Sequence, residues 1–136
     1  GTAEFISRAR RMRKQLGGGM RQAGILAAAG IVALETMISR LPDDHKRASR
    51  LAEGLAQSPG LELDPGSPFT NMVFLTLGDQ VPLSASEMVG RLKDQGLLVG
   101  VSAERRFRLV THYMIGDSEV NSAIKIFRNV LQDCMI

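Results

Sequence analysis

The chain has 136 residues, 44% of them hydrophobic and 23% charged, with a formal net charge of +3. That length suffices for about one packed domain, and that balance excludes a disordered or collagen-like chain. One cysteine, Cys134, excludes an internal disulfide and a cysteine-based zinc site and fits a reducing, cytoplasmic setting, while the absence of Trp and the single Tyr make the core mainly aliphatic.

The N-terminus carries no apolar run of the secretory kind. Residues 3–16 read as a helix, because Phe5, Ala9, Met12 and Leu16 recur at helical spacing. Arg8, Arg10, Arg11, Arg13, Lys14 and Arg21 concentrate the basic bias here. These cations fall all around the helix, without interleaved aromatics or a known nucleic-acid motif, so a solvated face or a subunit contact is expected and nucleic acid is not. Gly17, Gly18 and Gly19 must end the helix, since glycine resists helix and accepts positive φ. Residues 20–40 read as a second, longer helix, rich in Ala and Gly and apolar on nearly every side. Its apolar run, Ala23 to Leu34, falls short of the roughly 20 residues a bilayer requires, so burial against protein is expected and a membrane is not.

Pro42 in a first turn and the stripe Ala48, Leu51, Ala52 and Leu55 make 43–57 a third helix, stopped by Ser58-Pro59-Gly60. Asp64 to Pro68 is a loop, and Thr70 to Leu77 is rich in strand formers. Ser84 with Glu87 makes a capping box and Leu83 with Met88 a hydrophobic staple, so a helix is expected over 85–95, ended by Gly96. Leu97 to Val101 and Phe107 to His112 read as strands, and the short charged loop between them favours an antiparallel pair. Asp117 is the expected cap of a last helix with the stripe Val120, Ala123, Ile124, Phe127, Val130 and Leu131. The order from residue 60 onward defines an α+β module: long helices followed by a small, mostly antiparallel sheet with helices packed on one face. The expected organisation is a helix pair, 1–41, and a small α+β domain, 42–136.

Few residues invite chemistry. A glycine-rich loop before a helix can cradle an anion on free N–H groups, with Lys14 and Arg21 adding charge, but neither the phosphate-loop nor the dinucleotide spacing is present. A plain joint between helices is the favoured reading. In "ERRFRLVTH", alternation puts Arg108, Val110 and His112 on one face. Either Arg108 is a surface residue of a half-exposed sheet, or its planar fork meets a carboxylate. His45 lies among Asp43, Asp44 and Lys46 and is expected to be solvated; His112 suits a structural hydrogen bond. No paired carboxylates, metal-ligand set or Ser/His/Asp combination stands out, and Cys134 looks inert.

Taken together, "EFISRARRMRKQLGGGMRQAGILAAAGIVAL", "TNMVFL", "GLLVGV" and "FRLVTHYMI" resemble the C-terminal part of the low-specificity L-threonine aldolases, which are pyridoxal phosphate (PLP) enzymes of the aspartate-aminotransferase fold type I. The resemblance runs from Glu4 to about Leu131. It implies cleavage of L-threonine or allo-threonine to glycine and acetaldehyde by a complete enzyme. It further implies that Arg108 binds the substrate carboxylate, that Lys14 and Arg21 reach the cofactor region, and that residues 1–41 bridge to a large domain and build a dimer or tetramer. The family's Schiff-base lysine falls upstream of the residues matched here, and Lys14, in helix-end text, is not that lysine. No catalytic residue is therefore expected within this chain, which alone should be inactive and is not expected to bind PLP covalently. Rival expectations are a non-catalytic interaction or dimerisation module, or another fold type I lyase or transaminase acting on a β-hydroxy amino acid.

Overall fold

The structure is a computed structural model and describes residues 1–134. It divides into two compact units, Gly1–Ser39 and Arg40–Ile136. In the first, helix α1 (Ala3–Gln15) begins at Thr2, whose hydroxyl accepts the Phe5 N–H at 3.2 Å. Glu4 in its first turn and Arg13 and Lys14 in its last both suit the helix dipole. It ends in a Schellman motif. The Gly17 N–H donates to the Lys14 carbonyl at 3.3 Å and the Gly18 N–H to the Arg13 carbonyl at 2.8 Å, with Gly17 at φ +78°. A Cβ on Gly18 would stand 2.8 Å from Arg13 Cγ and 3.1 Å from the Arg13 carbonyl oxygen, so two of the three glycines are required by the helix stop itself.

The second helix is shorter than the pattern predicts. Helix α2 spans Gly24–Val32, and the chain continues as a π turn, Ala33–Met37, and a 3₁₀ turn, Ile38–Arg40. Gln22 at φ 55° is left-handed and bars the helix from starting at residue 20, leaving Met20 and Arg21 outside it. No residue of α1, α2 or the π turn is buried; Ile25 is 81% and Leu34 70% exposed. The helical run Gly24–Ala56 is, by length and composition alone, long and apolar enough to cross a membrane, a criterion that core helices of soluble proteins also meet.

The second unit holds the core. Its elements are α3 (Leu41–Ala56), β1 (Leu61–Leu63), β2 (Met72–Leu77), α4 (Ala85–Asp94), β3 (Gly100–Ala103), β4 (Arg106–Val110) and α5 (Asp117–Cys134). The strands form one sheet, ordered β1-β2-β4-β3, with every pair antiparallel. Val73, Leu75, Leu77, Phe107 and Leu109 point into the core, where they meet Leu51 and Leu55 of α3, Met88 and Leu92 of α4, and Phe127 and Leu131 of α5. Phe107 and Phe127 pack edge to face at 5.9 Å and 85°. A Cβ at Gly54 would collide with Ile124, so glycine permits the close approach of α3 and α5.

Local chemistry explains where element ends move. The capping box forms as the spacing predicts: the Glu87 N–H donates to Ser84 Oγ at 3.2 Å and the Ser84 N–H to Glu87 Oε2 at 2.8 Å. β2 starts at Met72 and not Thr70, because Thr70 is left-handed at φ 55°. The expected strand Leu97–Val101 is in the sheet only from Gly100, because the Leu97 N–H is held by the Leu92 carbonyl at 2.9 Å in the cap that Gly96, at φ +85°, makes for α4. β4 stops at Val110 rather than His112. Asp117 does not cap α5. The Glu119 carboxylate receives the Gly116 N–H at 2.9 Å, and Asp117 instead pairs with Arg47 at 3.5 Å and Arg50 at 3.3 Å.

At the start of α3, buried Asp44 takes Arg40 in two-point contact at 2.6 and 2.8 Å, and its backbone carbonyl receives the Thr111 hydroxyl at 2.7 Å. The hydrogen bonds from Arg40 hold the Asp44 carboxyl below the ordinary 3.8, against the opposing effect of burial. A carboxyl lowered by folding stabilises above its unfolded pKa and loses that contribution as pH falls through its folded value. Urea unfolding of Asp44→Asn should therefore show a weaker fold near neutral pH and a smaller stability difference between about pH 3 and pH 7 than in the parent chain. An unchanged difference would show that Asp44 does not drive the acid loss.

Candidate functional site

Arg105, Arg106 and Arg108 lie within one short stretch and have different fates. The Arg105 guanidinium donates to four backbone carbonyls: Leu77 at 3.2 Å, Gly78 at 2.7 Å, Val81 at 3.0 Å and Leu83 at 3.2 Å. It pins the turn between β2 and α4. Arg106 Nε donates to Asp64 Oδ2 at 2.7 Å, and its guanidinium carbon lies 4.7 Å from the centre of the Phe74 ring. Arg108 is exposed on the outer face of β4, between Phe74 of β2 and Gly100 of β3, and among the described residues it has no hydrogen bond or ion pair. Gly100 offers no side chain to crowd it. An uncommitted guanidinium on a rigid strand suits a planar carboxylate in two-point contact. Its placement matches the solvated-face reading rather than a buried core arginine.

Arg108 borders a cavity of about 370 Å³, with Leu97, Val99, Thr111, His112, Ile115, Glu119 and Ala123 among its walls. His112 is exposed, and its Nδ1 accepts the Met114 N–H at 3.3 Å, the structural bond its position suggests. The Glu119 carboxyl is held below its ordinary range by its own backbone N–H, then by the Ser118 hydroxyl and the Gly116 N–H. Thr111, buried at the cavity edge, escaped the sequence reading and offers no signal beyond its neighbours. Asp44 had one, the Arg40–Asp44 spacing of four. Glu119 had another, in Gly116-x-x-Glu119, the acidic half of a capping box.

The other candidates stand apart from this chemistry. Lys14 and Arg21 belong to the unit Gly1–Ser39, where both are exposed and, among the described residues, without an ion pair. Gly17 and Gly18 already give their N–H groups to carbonyls of α1, so these two glycines cap a helix C-terminus and offer no free N–H to an anion. His45 is exposed. Cys134 donates to the Val130 carbonyl at 2.8 Å and meets Arg91 Nη1 at 3.0 Å. Among the described residues no group of three or more His, Cys, Asp or Glu is placed to hold a metal.

The fold recurs among solved structures. The cystine C–S lyase C-DES matches at a TM-score of 0.65 with 24% identity, covering 79% of this chain and 28% of that one. The aminotransferase TlmJ from Streptoalloteichus hindustanus matches at 0.58 with 20% identity, covering 72% and 34%. The fold is thus that of the fold type I PLP enzymes, in an α+β portion. The model of the beta-eliminating lyase family matches residues 1–78, more than half of the chain, and the chain belongs to that family. It is 38% identical over 131 residues to low-specificity L-threonine aldolase 1 of Arabidopsis thaliana, covering 96% of this chain and 37% of that protein. It is 41% identical over 112 residues to the low-specificity L-threonine aldolase of Escherichia coli, covering 82% and 31%. The chain spans about a third of the length of these curated relatives.

The contrast between the arginines is measurable. Arg105→Ala, which removes the guanidinium from four carbonyls, should destabilise the second unit by about 2–3 kcal/mol. Arg108→Ala, at an exposed and unpaired position, should change stability by under about 0.5 kcal/mol. Chemical denaturation of the two variants checks both values; equal losses would mean that Arg108 is structural.

Proposed function

We propose that these residues form the C-terminal portion of a threonine aldolase-like PLP enzyme that cleaves L-threonine or allo-threonine to glycine and acetaldehyde. The observation that carries this reading is Arg108: an exposed guanidinium on a paired strand and beside a cavity, free of any carboxylate of its own among the described residues. Its role is to hold the substrate carboxylate and fix the amino acid's orientation, so that the bond to be broken is correctly presented. Relatives named as threonine aldolases over nearly the whole of this chain support the reaction class.

The cofactor enters through those relatives and through fold neighbours such as a C-DES variant with glycine linked to its PLP. Its covalent attachment is assigned to residues outside those described here. The four lysines, Lys14, Lys46, Lys93 and Lys125, are all exposed, and none borders the Arg108 cavity. A lysine that acts as an amine nucleophile has its charge suppressed by burial or by a neighbouring cation. No chemical step is therefore assigned to this chain alone. Lys14 and Arg21 are proposed to face the cofactor's anionic end from a neighbouring subunit, which their exposure and their lack of ion pairs among the described residues support. Residues 1–41, apolar yet unburied, are proposed to bridge to a larger domain and to form the contact of a dimer or tetramer. A cytoplasmic setting accompanies this reading.

Mixed with PLP and L-threonine, the purified chain should add no saturable visible absorption band to that of the chain-free mixture and release no acetaldehyde beyond it. A strong band or turnover would refute the assignment of the covalent chemistry to residues outside it. In a full-length enzyme carrying these residues, Arg108→Ala should cost about 2–5 kcal/mol in kcat/KM for L-threonine. Unchanged kinetics would remove Arg108 from the site.

A further inference from the structure

Gly100, the first residue of β3, stands directly across from Arg108 of β4. Directly opposed residues of an antiparallel pair share a face, so a side chain at position 100 would stand beside Arg108 on the face the helices leave open. Glycine is a poor strand residue, and within a strand it marks a bulge, a tight bend or the close approach of another group. The backbone does not demand it here. The register irregularity of β3 lies further on, between Val101 and Ala103, and Gly100 is not at positive φ. Among the described residues, and apart from its chain neighbours, a Cβ built on Gly100 would meet within 4 Å only the Arg108 carbonyl oxygen, at 3.5 Å, an ordinary contact. The space over Gly100 is therefore open. The other flank of Arg108 is occupied: Phe74 lies opposite on β2, with Phe69 edge-on to its ring at 6.0 Å and the Arg106 guanidinium carbon 4.7 Å from the ring centre. Since β3 is the outermost strand, the free side of Arg108 is the one toward the sheet edge.

We propose that Gly100 provides the clearance through which a carboxylate reaches Arg108: the ligand enters over the bare backbone of β3, and the missing side chain at position 100 is what admits it. The inference rests on the carboxylate role of Arg108. It adds to that role a second residue and a direction of approach, from the edge of the sheet and not from the Phe74 side.

The test follows the Arg108 side-chain Nε–H resonance of the isotopically labelled chain during titration with acetate, in the parent and in Gly100→Val and Gly100→Glu, with thermal unfolding of each. Gly100→Val should melt no lower than the parent, because a β-branched residue suits a strand. It should weaken acetate roughly threefold or more, since one point of the two-point contact is obstructed. In Gly100→Glu the introduced carboxylate should take the ligand's place, so that the Arg108 resonance is displaced before any acetate is added and acetate moves it no further. The second variant decides the matter if valine disturbs β3. Parent-like acetate affinity in a folded Gly100→Val, or an undisplaced and still responsive Arg108 in Gly100→Glu, would overturn the clearance and leave the carboxylate role of Arg108 intact. Unfolding of both variants would show that the backbone itself needs glycine and would overturn it too. No saturable shift at Arg108 in the parent chain would overturn both the clearance and the carboxylate role.

Discussion

The antiparallel pairing of β2 with β4 is the constraint on which the rest of the second unit depends. Its register sets Leu75 opposite Phe107 and Val73 opposite Leu109, which sends those four side chains into the core with α3, α4 and α5. The same register sets Phe74 opposite Arg108 and Thr76 opposite Arg106, on the face the helices leave open. Because side chains alternate along a strand, a slip of one residue would bury two guanidiniums and expose two aromatic or aliphatic residues. The core therefore fixes where the cations stand. Arg105, at the turn into β4, reinforces this by tying the loop after β2 to the start of β4 through four carbonyls.

The stretch Arg105-Arg106-Phe107-Arg108 shows how far the sequence carries. Alternation separates Phe107 from its neighbours and places Arg108 on the outer face. The strand pattern, the capping box at Ser84 and the stripe of α5 give the α+β architecture without coordinates. What the sequence withholds is which arginine stays free. Arg106 is paired with Asp64, 42 residues away, and Arg105 is engaged by carbonyls more than 20 residues away. Such pairings are set by the fold and leave no local trace. Backbone conformation at single residues is hidden in the same way: left-handed Gln22 and Thr70 shorten a helix and a strand that composition alone would start earlier. The Schellman cap at Gly96 withdraws Leu97 from the sheet although "LLVGV" has every strand former it needs.

The glycine triplet illustrates how geometry selects between two chemical readings of one motif. Composition permits both a joint and an anion cradle. The cradle needs free N–H groups, and Gly17 and Gly18 have given theirs to Lys14 and Arg13 carbonyls. Gly17 and Gly18 thus terminate α1, and the charges of Lys14 and Arg21 stand apart from that cap. Two facts then point outward: helices with no buried residue, and a span of about a third of the curated relatives. An apolar helix gains its stability mainly from packing, which is why a covering surface is proposed for residues 1–41.

The central claim is that Arg108 alone, of the three arginines around β4, is available to a carboxylate. It is tested most directly by observing the arginine side-chain Nε–H resonances while the chain is titrated with glycine or acetate. Saturable shifts at Arg108, with Arg105 and Arg106 unmoved, are the expected result. Shifts at Arg105 or Arg106, or none at Arg108, would contradict the assignment.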